Sequence, residues 1–207
     1  MRHFVTAAAS FRVDSDDRAV AFPLGTDWVV CVADGTGGAA GAAAAAAMFV
    51  DSAQGTVRGG AFSLGEPAAW VRLLEDIDRE IARHPAAGET TGIALAVTGG
   101  AVVGASAGDS RAWVFGAGAT ELTGDQVRKP RLGTGRAQPR SFSAPASGTL
   151  VVGTDGLFDH AALADIAAIA QAPPSADAGN ALIGLLRARY RQLPDDVAVV
   201  IGWLDAG

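Results

Sequence analysis

The stretch Asp34-Gly35-Thr36-Gly37-Gly38 joins an apolar, β-rich run at 28–33 to an alanine-rich segment that extends to about residue 54. The run predicts a strand, and the alanine-rich segment favours a helix because alanine loses no side-chain entropy there. Glycines at such a junction let the backbone turn tightly and bring a carbonyl oxygen close to a bound ion. Asp34 is therefore a candidate metal ligand at a strand end.

Similar patterns predict the other elements of the chain. Apolar β-rich runs occupy 4–9 and 18–22, and the turn residues at 23–26 predict that 18–22 and 28–33 form a hairpin. Apolar residues at helical spacing predict a helix over 66–83. Strands are also expected at 93–98, 101–106, 111–115, 149–154 and 197–204, the first three as an antiparallel meander, with helices at 161–170 and 176–192 and an irregular segment at 124–148.

These elements predict an α+β fold. Strands clustered between helices favour a four-layer α/β/β/α sandwich, in which two antiparallel sheets are flanked by helix pairs. The 207-residue chain is long enough for one sizeable core, so we expect a single domain over residues 1–207.

Composition and charge exclude several classes of function. The formal net charge of −6 repels nucleic-acid phosphates and anionic lipid, so we expect neither as a partner. The sequence shows no signal peptide and no apolar run long enough to span a membrane, and its single cysteine, Cys31, fits a reducing compartment. We therefore expect a cytoplasmic monomer.

Aspartates stand at the ends of the predicted strands. Asp34 and Asp155 each follow an apolar strand, whereas Asp17 and the pair Asp195-Asp196 each precede one. Because the end of one antiparallel strand lies beside the start of its neighbour, these positions can share one rim of the fold. A turn across 23–26 would place Asp17 opposite Val32, with Asp34 as the diagonal neighbour roughly 7–8 Å away. That separation suits one or two bridging cations.

A divalent cation is the favoured explanation for these aspartates. Two carboxylates about 4 Å apart repel each other by roughly 4 kcal/mol at an effective dielectric constant near 20. An all-oxygen ligand set is typical of Mg²⁺ or Mn²⁺, and zinc is disfavoured because the three histidines lack ligand-like spacing. Each aspartate alone could be an ordinary turn residue. Four on one predicted rim favour a metal site.

Five motifs carry this pattern along the chain. They are Arg12-Val13-Asp14-Ser15-Asp16-Asp17; Asp34-Gly35-Thr36-Gly37-Gly38; Gly108-Asp109-Ser110-Arg111, with Thr90-Thr91-Gly92 upstream; Gly153-Thr154-Asp155-Gly156-Leu157-Phe158-Asp159; and Asp195-Asp196-Val197-Ala198-Val199-Val200. Their order resembles that of the type 2C, or PPM, family of metal-dependent protein serine/threonine phosphatases, from Arg12 to Val200.

The resemblance implies a role for each matched position. Arg12 would bind the substrate phosphate and act with Asp34 and Asp155 in catalysis. The implied ligands of two Mg²⁺ or Mn²⁺ ions are Asp17, Asp34, the carbonyl of Gly35, Asp155 and Asp195. Asp16 and Asp196 would support these ligands from behind. Asp109 and Asp159 would belong to a third, weaker metal site.

The chain also departs from the family pattern. Thr36 stands where some eukaryotic members carry a histidine proposed as general acid. Asp196 replaces the usual asparagine, which leaves open whether Asp195 or Asp196 coordinates. The segment 124–148 resembles a shortened form of the mobile flap of bacterial members.

Hydrolysis of a phosphomonoester is the function that the resemblance implies. The expected substrate is a protein carrying phosphoserine or phosphothreonine, and a cognate serine/threonine kinase or its targets would be partners. Two alternatives stay open. One is a weakly active or inactive regulatory module with the same fold, motivated by the departures. The other is a hydrolase acting on a phosphorylated anti-sigma-antagonist-type protein, as in sporulation phosphatase relatives, or on a small phosphoester.

Overall fold

Two antiparallel sheets with helices on their outer faces make up the described part of the chain. The computed structural model describes residues 3–11, 15–36 and 41–204. The strands there are β1 (His3–Ala9), β2 (Arg18–Leu24), β3 (Asp27–Ala33), β4 (Gly92–Thr98), β5 (Ala101–Ala107), β6 (Arg111–Phe115), β7 (Ala119–Glu121), β8 (Arg140–Pro145), β9 (Thr149–Gly153) and β10 (Val197–Trp203). The helices are α1 (Ala42–Arg58), α2 (Pro67–Arg83), α3 (Asp155–Phe158), α4 (Leu163–Ala170) and α5 (Ala178–Arg189).

Apolar contacts hold these elements in four layers. The first sheet has the order β1-β10-β9-β6-β7 and the second β2-β3-β4-β5-β8. Buried residues such as Val32, Leu95 and Val200 pack between the sheets. Phe49 of α1 and Trp70 of α2 pack on the second sheet, and α4 and α5 cover the first. The predicted α/β/β/α sandwich is confirmed. None of the helices in the described ranges is long and apolar enough to cross a bilayer.

The β2–β3 hairpin forms as predicted, but its register was predicted wrongly. Arg18 pairs with Ala33 and Leu24 with Asp27, so the turn contains only Gly25 and Thr26. Gly25 adopts a positive φ of 62°, which glycine tolerates at no steric cost. The shorter turn shifts the pairing by two residues, and positions 17 and 34 therefore follow the last pair directly across the ladder.

The predicted meander of three strands is also wrong. Strands β4 and β5 pair with each other, but β6 pairs with β7 and β9 in the other sheet. The chain crosses between the sheets at Gly108, whose φ of 109° brings it against Thr91. Asp109 lies in this connection between the two sheets.

Three short elements lie in segments without a strong pattern. β7 has three residues and α3 has four, which is too short for a periodic signal. β8 lies inside the segment 124–148, which is therefore not irregular throughout. It pairs with β5 at the edge of the second sheet, and its alternating serines gave no apolar run to indicate a strand.

A buried carboxylate on α2 holds the loop that precedes β8. Asp78 is 3% exposed, and its two oxygens accept three backbone N–H bonds. Oδ1 accepts from Gly133 at 2.7 Å and from Gly135 at 2.9 Å, and Oδ2 accepts from Ala137 at 2.9 Å. Hydrogen bonds to a charged acceptor are stronger than neutral ones, so Asp78 fixes the course of this loop.

We expect Asp78→Asn to lower the free energy of unfolding by about 1–3 kcal/mol, because one backbone N–H would then face an amide donor. Chemical denaturation followed by circular dichroism measures the loss. Asp76→Asn on the same helix is the matched control, since the Asp76 side chain is 70% exposed, and its effect should stay within about 0.5 kcal/mol. Equal effects of the two substitutions would contradict the role given to Asp78.

Candidate metal centre

An acidic cavity of about 440 Å³ opens where strand ends of the two sheets meet. Six of its lining residues are aspartates, namely Asp16, Asp17, Asp34, Asp155, Asp195 and Asp196. The others are Phe11, Gly35, Thr36, Arg131 and Pro194. Carboxylates gathered in one concavity repel one another unless protons or cations neutralise them.

Both sheets contribute strand ends to this cavity. Asp17 and Asp34 lie one residue beyond the paired ends of β2 and β3 in the second sheet. Asp155 begins α3 after β9, and Asp195-Asp196 immediately precede β10 in the first sheet. The structure thus brings together the strand-end aspartates on which the sequence interpretation depended.

Asp109 joins this group because the chain crosses between the sheets there. One carboxylate oxygen from each of Asp34, Asp109 and Asp155 lies within 4.8 Å of the other two. A single cation could contact all three. The sequence interpretation placed Asp109 in a third, weaker metal site, and the structure places it beside two of the predicted main ligands.

Two threonines hold the backbone of Asp34. The Thr91 N–H donates to the Asp34 carbonyl oxygen at 2.8 Å, and the Asp34 N–H donates to Thr91 Oγ1 at 3.1 Å. Thr90 Oγ1 donates to the same carbonyl oxygen at 2.9 Å. Thr91 Oγ1 also lies 2.7 Å from Ser110 Oγ, in a buried contact. The Thr90-Thr91 pair therefore links the Asp34 strand end to the crossing that carries Asp109.

Gly35 and Thr36 form the wall next to Asp34. A Cβ on Gly35 would lie 2.5 Å from the Ala42 carbonyl oxygen and 2.9 Å from that of Asp16, so a larger residue would force the backbone apart. Thr36 is tied to Glu89, whose carbonyl oxygen accepts from the Thr36 N–H at 3.1 Å and from its hydroxyl at 3.2 Å.

Burial and mutual repulsion raise the pKa of three cavity carboxyls. Loss of solvent is the largest cause in each case. The second cause is a neighbouring charge, which is Asp34 for the pKa of Asp17, Asp155 for that of Asp34, and Asp109 for that of Asp155. These carboxylates are therefore poorly tolerated as free anions.

The donor set of the cavity fits a divalent cation. Asp17 Oδ2 and Asp109 Oδ1 are buried and have no hydrogen-bond partner among the described residues. A buried unsatisfied acceptor costs about 1–3 kcal/mol, and more when it is charged. The available donors are carboxylate and carbonyl oxygens, the ligands that Mg²⁺ and Mn²⁺ prefer.

Asp195 and Asp196 differ in what their oxygens contact. Asp196 Oδ1 accepts from the Phe11 N–H at 2.7 Å and from Ser10 Oγ at 3.1 Å, and Oδ2 accepts from the Asp16 N–H at 2.8 Å. Both oxygens are thus occupied by the connection between β1 and β2. Asp195 is exposed, and its Oδ1 accepts from the Asp196 N–H at 2.8 Å. The geometry favours Asp195 as the ligand and Asp196 as the support of that connection.

The remaining predicted site residues lie apart from the cavity or outside the described ranges. Asp159 is 47% exposed and forms an ion pair with Arg111. Arg12, predicted to bind phosphate, falls outside the described residues. Arg131 lines the cavity and was not predicted, because nothing in its Gly- and Pro-containing segment distinguished it from a solvated arginine.

The family of stage II sporulation protein E (SpoIIE) matches residues 25–202. The chain belongs to this family. The match includes four of the cavity aspartates, from Asp34 to Asp196. The predicted resemblance to PPM-type phosphatases is confirmed at the level of family and fold.

Solved bacterial phosphatases share the fold of this SpoIIE-family chain. A bacterial serine phosphatase superposes with a TM-score of 0.85 at 20% identity, covering 100% of this chain and 98% of that one. Stp1 from Staphylococcus aureus, a serine/threonine phosphatase, gives 0.85 at 20% identity over 99% and 95%. The catalytic domain of the phosphatase PstP, solved with 2 manganese ions, gives 0.80 at 21% identity over 97% and 97%. No curated protein matches the chain in sequence.

We expect the metal-free protein to lose stability as the pH rises above the ordinary carboxyl pKa of 3.8. The raised pKa of Asp17 and Asp34 means that the folded state binds more protons than the unfolded state, so stability falls with increasing pH. Thermal melting in EDTA at pH 5 and pH 8 measures this, and Mn²⁺ should restore the melting temperature at pH 8.

Asp17→Asn should flatten this pH dependence by at least about 2 °C, roughly what 1 kcal/mol produces in a chain of this size. Asp51→Asn, at an exposed position of α1, serves as the control and should leave the dependence unchanged. The same pH dependence in wild type and Asp17→Asn would contradict the repulsion described above.

Paired substitutions distinguish the roles of Asp195 and Asp196. We expect Asp195→Asn to weaken Mn²⁺ binding at least about tenfold, because a charged ligand is lost. Asp196→Asn should instead lower the free energy of unfolding by about 1–3 kcal/mol, because one donor of the β1–β2 connection loses its acceptor. Calorimetric Mn²⁺ titration and chemical denaturation separate the two. A greater loss of Mn²⁺ affinity in Asp196→Asn would reverse the assignment.

Proposed function

We propose that this chain is a single-domain, metal-dependent phosphomonoester hydrolase that removes phosphate from phosphoserine or phosphothreonine in proteins. The observation that carries the proposal is the gathering of six aspartates, among them Asp17, Asp34 and Asp155, in one acidic cavity of a SpoIIE-family chain. The shared fold with bacterial serine/threonine phosphatases supports it. Fold alone does not define an activity, so the proposal depends on the residues of the cavity.

Two Mg²⁺ or Mn²⁺ ions are the proposed cofactors. Asp17, Asp34, the Gly35 carbonyl, Asp155 and Asp195 would hold them, and Asp16 and Asp196 would support these ligands. When bound, such ions supply an activated water and neutralise charge on the phosphoryl oxygens. The two manganese ions in the PstP structure support this choice of cofactor.

Individual residues of this chain would hold the ions and the phosphate. Its single cysteine is unsuited to act as a nucleophile. Asp34 is close enough to both Asp17 and Asp155 to interact with their charges, and it is proposed to contact both ions. Arg12 is proposed to bind the phosphate. Cys31 is fully buried, and burial raises the pKa of its thiol to about 12, so it is no nucleophile at neutral pH. A histidine acid is absent at position 36, so the leaving group has to be protonated by solvent.

Membership of the SpoIIE family favours one of the substrate classes that the sequence left open. A phosphorylated anti-sigma-antagonist-type protein is the proposed substrate, in preference to a small phosphoester. Phe11 at the cavity wall is an exposed apolar side chain, 39% accessible, and would offer a contact to the surface of a protein substrate. The kinase that phosphorylates that substrate would then act in opposition to this chain in the cytoplasm.

We expect Asp34→Ala and Asp155→Ala each to abolish Mn²⁺-dependent hydrolysis of p-nitrophenyl phosphate and of a phosphoserine peptide, because each removes a charged ligand. Circular dichroism would verify the fold of both variants. Asp51→Ala, at an exposed position outside the cavity, should retain wild-type activity. Activity retained in either folded site variant would refute the proposed function.

The rival proposal, an inactive module with the same fold, gives a different result in the wild-type protein. Calorimetric titration with Mn²⁺ would show no tight site, and no hydrolysis would be detected at any Mn²⁺ concentration. Tight Mn²⁺ binding together with hydrolysis excludes this rival.

A further inference from the structure

The two carboxylates that the resemblance assigns to a third metal site are each paired with an arginine. Arg131 Nη2 donates to Asp109 Oδ2 at 3.2 Å, and the side chains of this pair are only 20% and 16% exposed. Arg111 pairs with Asp159, which is 47% exposed. Exposed ion pairs contribute little, whereas a sheltered pair is less screened by solvent and salt. The electrostatic attraction is therefore stronger in the Arg131–Asp109 pair than in the Arg111–Asp159 pair.

The fold holds the backbone of Arg131 on both sides. Leu132, the next residue, exchanges two backbone hydrogen bonds with Thr90, at 3.0 and 3.1 Å. Thr134 Oγ1 donates to the Arg131 carbonyl oxygen at 2.7 Å. Asp78 fixes the following residues through three N–H bonds. The backbone of Arg131 is thus fixed beside the cavity. Forming the ion pair therefore costs little conformational entropy of the backbone.

An arginine at this position is a permanent positive charge. Its guanidinium keeps its proton at neutral pH even when it is sheltered from water. It neutralises one oxygen of Asp109, while the other, Oδ1, stays buried without a hydrogen-bond partner among the described residues. A further cation on this carboxylate would meet the guanidinium as a like charge.

We propose that Arg131 is a tethered cation that takes the place of the third divalent ion at Asp109, so that the protein binds two ions and takes up a third only weakly. This inference rests on the proposed function, because it assumes that the cavity aspartates bind divalent ions. It makes Arg131 a positioning residue that sets how many ions the site holds.

Equilibrium dialysis against Mn²⁺ tests this proposal by counting bound ions per chain. Wild type should bind two ions, and Arg131→Gln should bind a third at least about tenfold more tightly than wild type does, because a like charge near Asp109 is removed. Arg131→Lys keeps a positive charge and should resemble wild type. Arg136→Gln is the matched control, since Arg136 is exposed in the same loop and forms no ion pair with any residue in 3–11, 15–36 or 41–204.

A double substitution assigns the effect to the ion pair. Adding Asp109→Asn to Arg131→Gln should abolish the third ion, because the carboxylate that would hold it is gone. The proposal is overturned if wild type takes up a third ion as tightly as Arg131→Gln, if Arg131→Gln gains no third ion, or if the gain persists in the double variant. If Arg131→Gln does not fold, wild type still decides, since three ions of similar affinity contradict the proposal.

The same measurement separates this inference from the proposed function. A wild-type protein that binds no Mn²⁺ contradicts the proposed function. One that binds two ions and hydrolyses phosphoserine, but gains nothing on Arg131→Gln, contradicts only the role of Arg131.

Discussion

The mutual repulsion of buried carboxylates is the constraint on which the site and the structure around it depend. Asp17 and Asp34 stand directly across the open end of the β2–β3 ladder, and Asp155 approaches from the other sheet. Each is largely removed from water, which disfavours its charge. Such an arrangement persists only where protons or cations neutralise it, and it lowers the stability of the bare protein in exchange for a binding site.

The surrounding fold treats its aspartates in three different ways. Asp78 and Asp196 each accept three hydrogen bonds and serve as internal anchors for loops. Asp109 and Asp159 are each matched with an arginine. Asp17 keeps a buried oxygen without a partner among the described residues. Aspartates of the same charge thus have different structural roles. The hydrogen-bond donors and arginines near each carboxylate determine its role.

The sequence predicted most of the long elements because their patterns are local. The helix over 66–83 and the strands around Cys31 and Leu95 carry clear periodicity, and they agree with the structure to within a few residues. The hairpin register was wrong because Pro23 suggested a longer turn, although an edge strand tolerates proline. The strand-end aspartates were found because their positions follow from strand direction, whereas their roles as ligands stay proposals.

The features that could not be predicted from the sequence depend on contacts between distant segments. The crossing of β6 to the other sheet follows from packing, not from the Gly108-Asp109 turn, which also suits a hairpin. Arg131 lies in a segment without periodicity, and its place is set by Asp78 and Thr90. The distinct roles of Asp195 and Asp196 likewise emerge only when the β1–β2 connection is placed beside β10.

The bond from Asp196 to the Asp16 backbone also bears on how the protein is made. It joins positions 180 residues apart, and β1 is completed as a sheet strand only by β10. Early segments emerge from the ribosome long before late ones, so the cavity cannot assemble on a partly translated chain. The cavity carboxylates therefore come together only once β10 has been synthesised, and a chain that stops before β10 lacks the complete cavity.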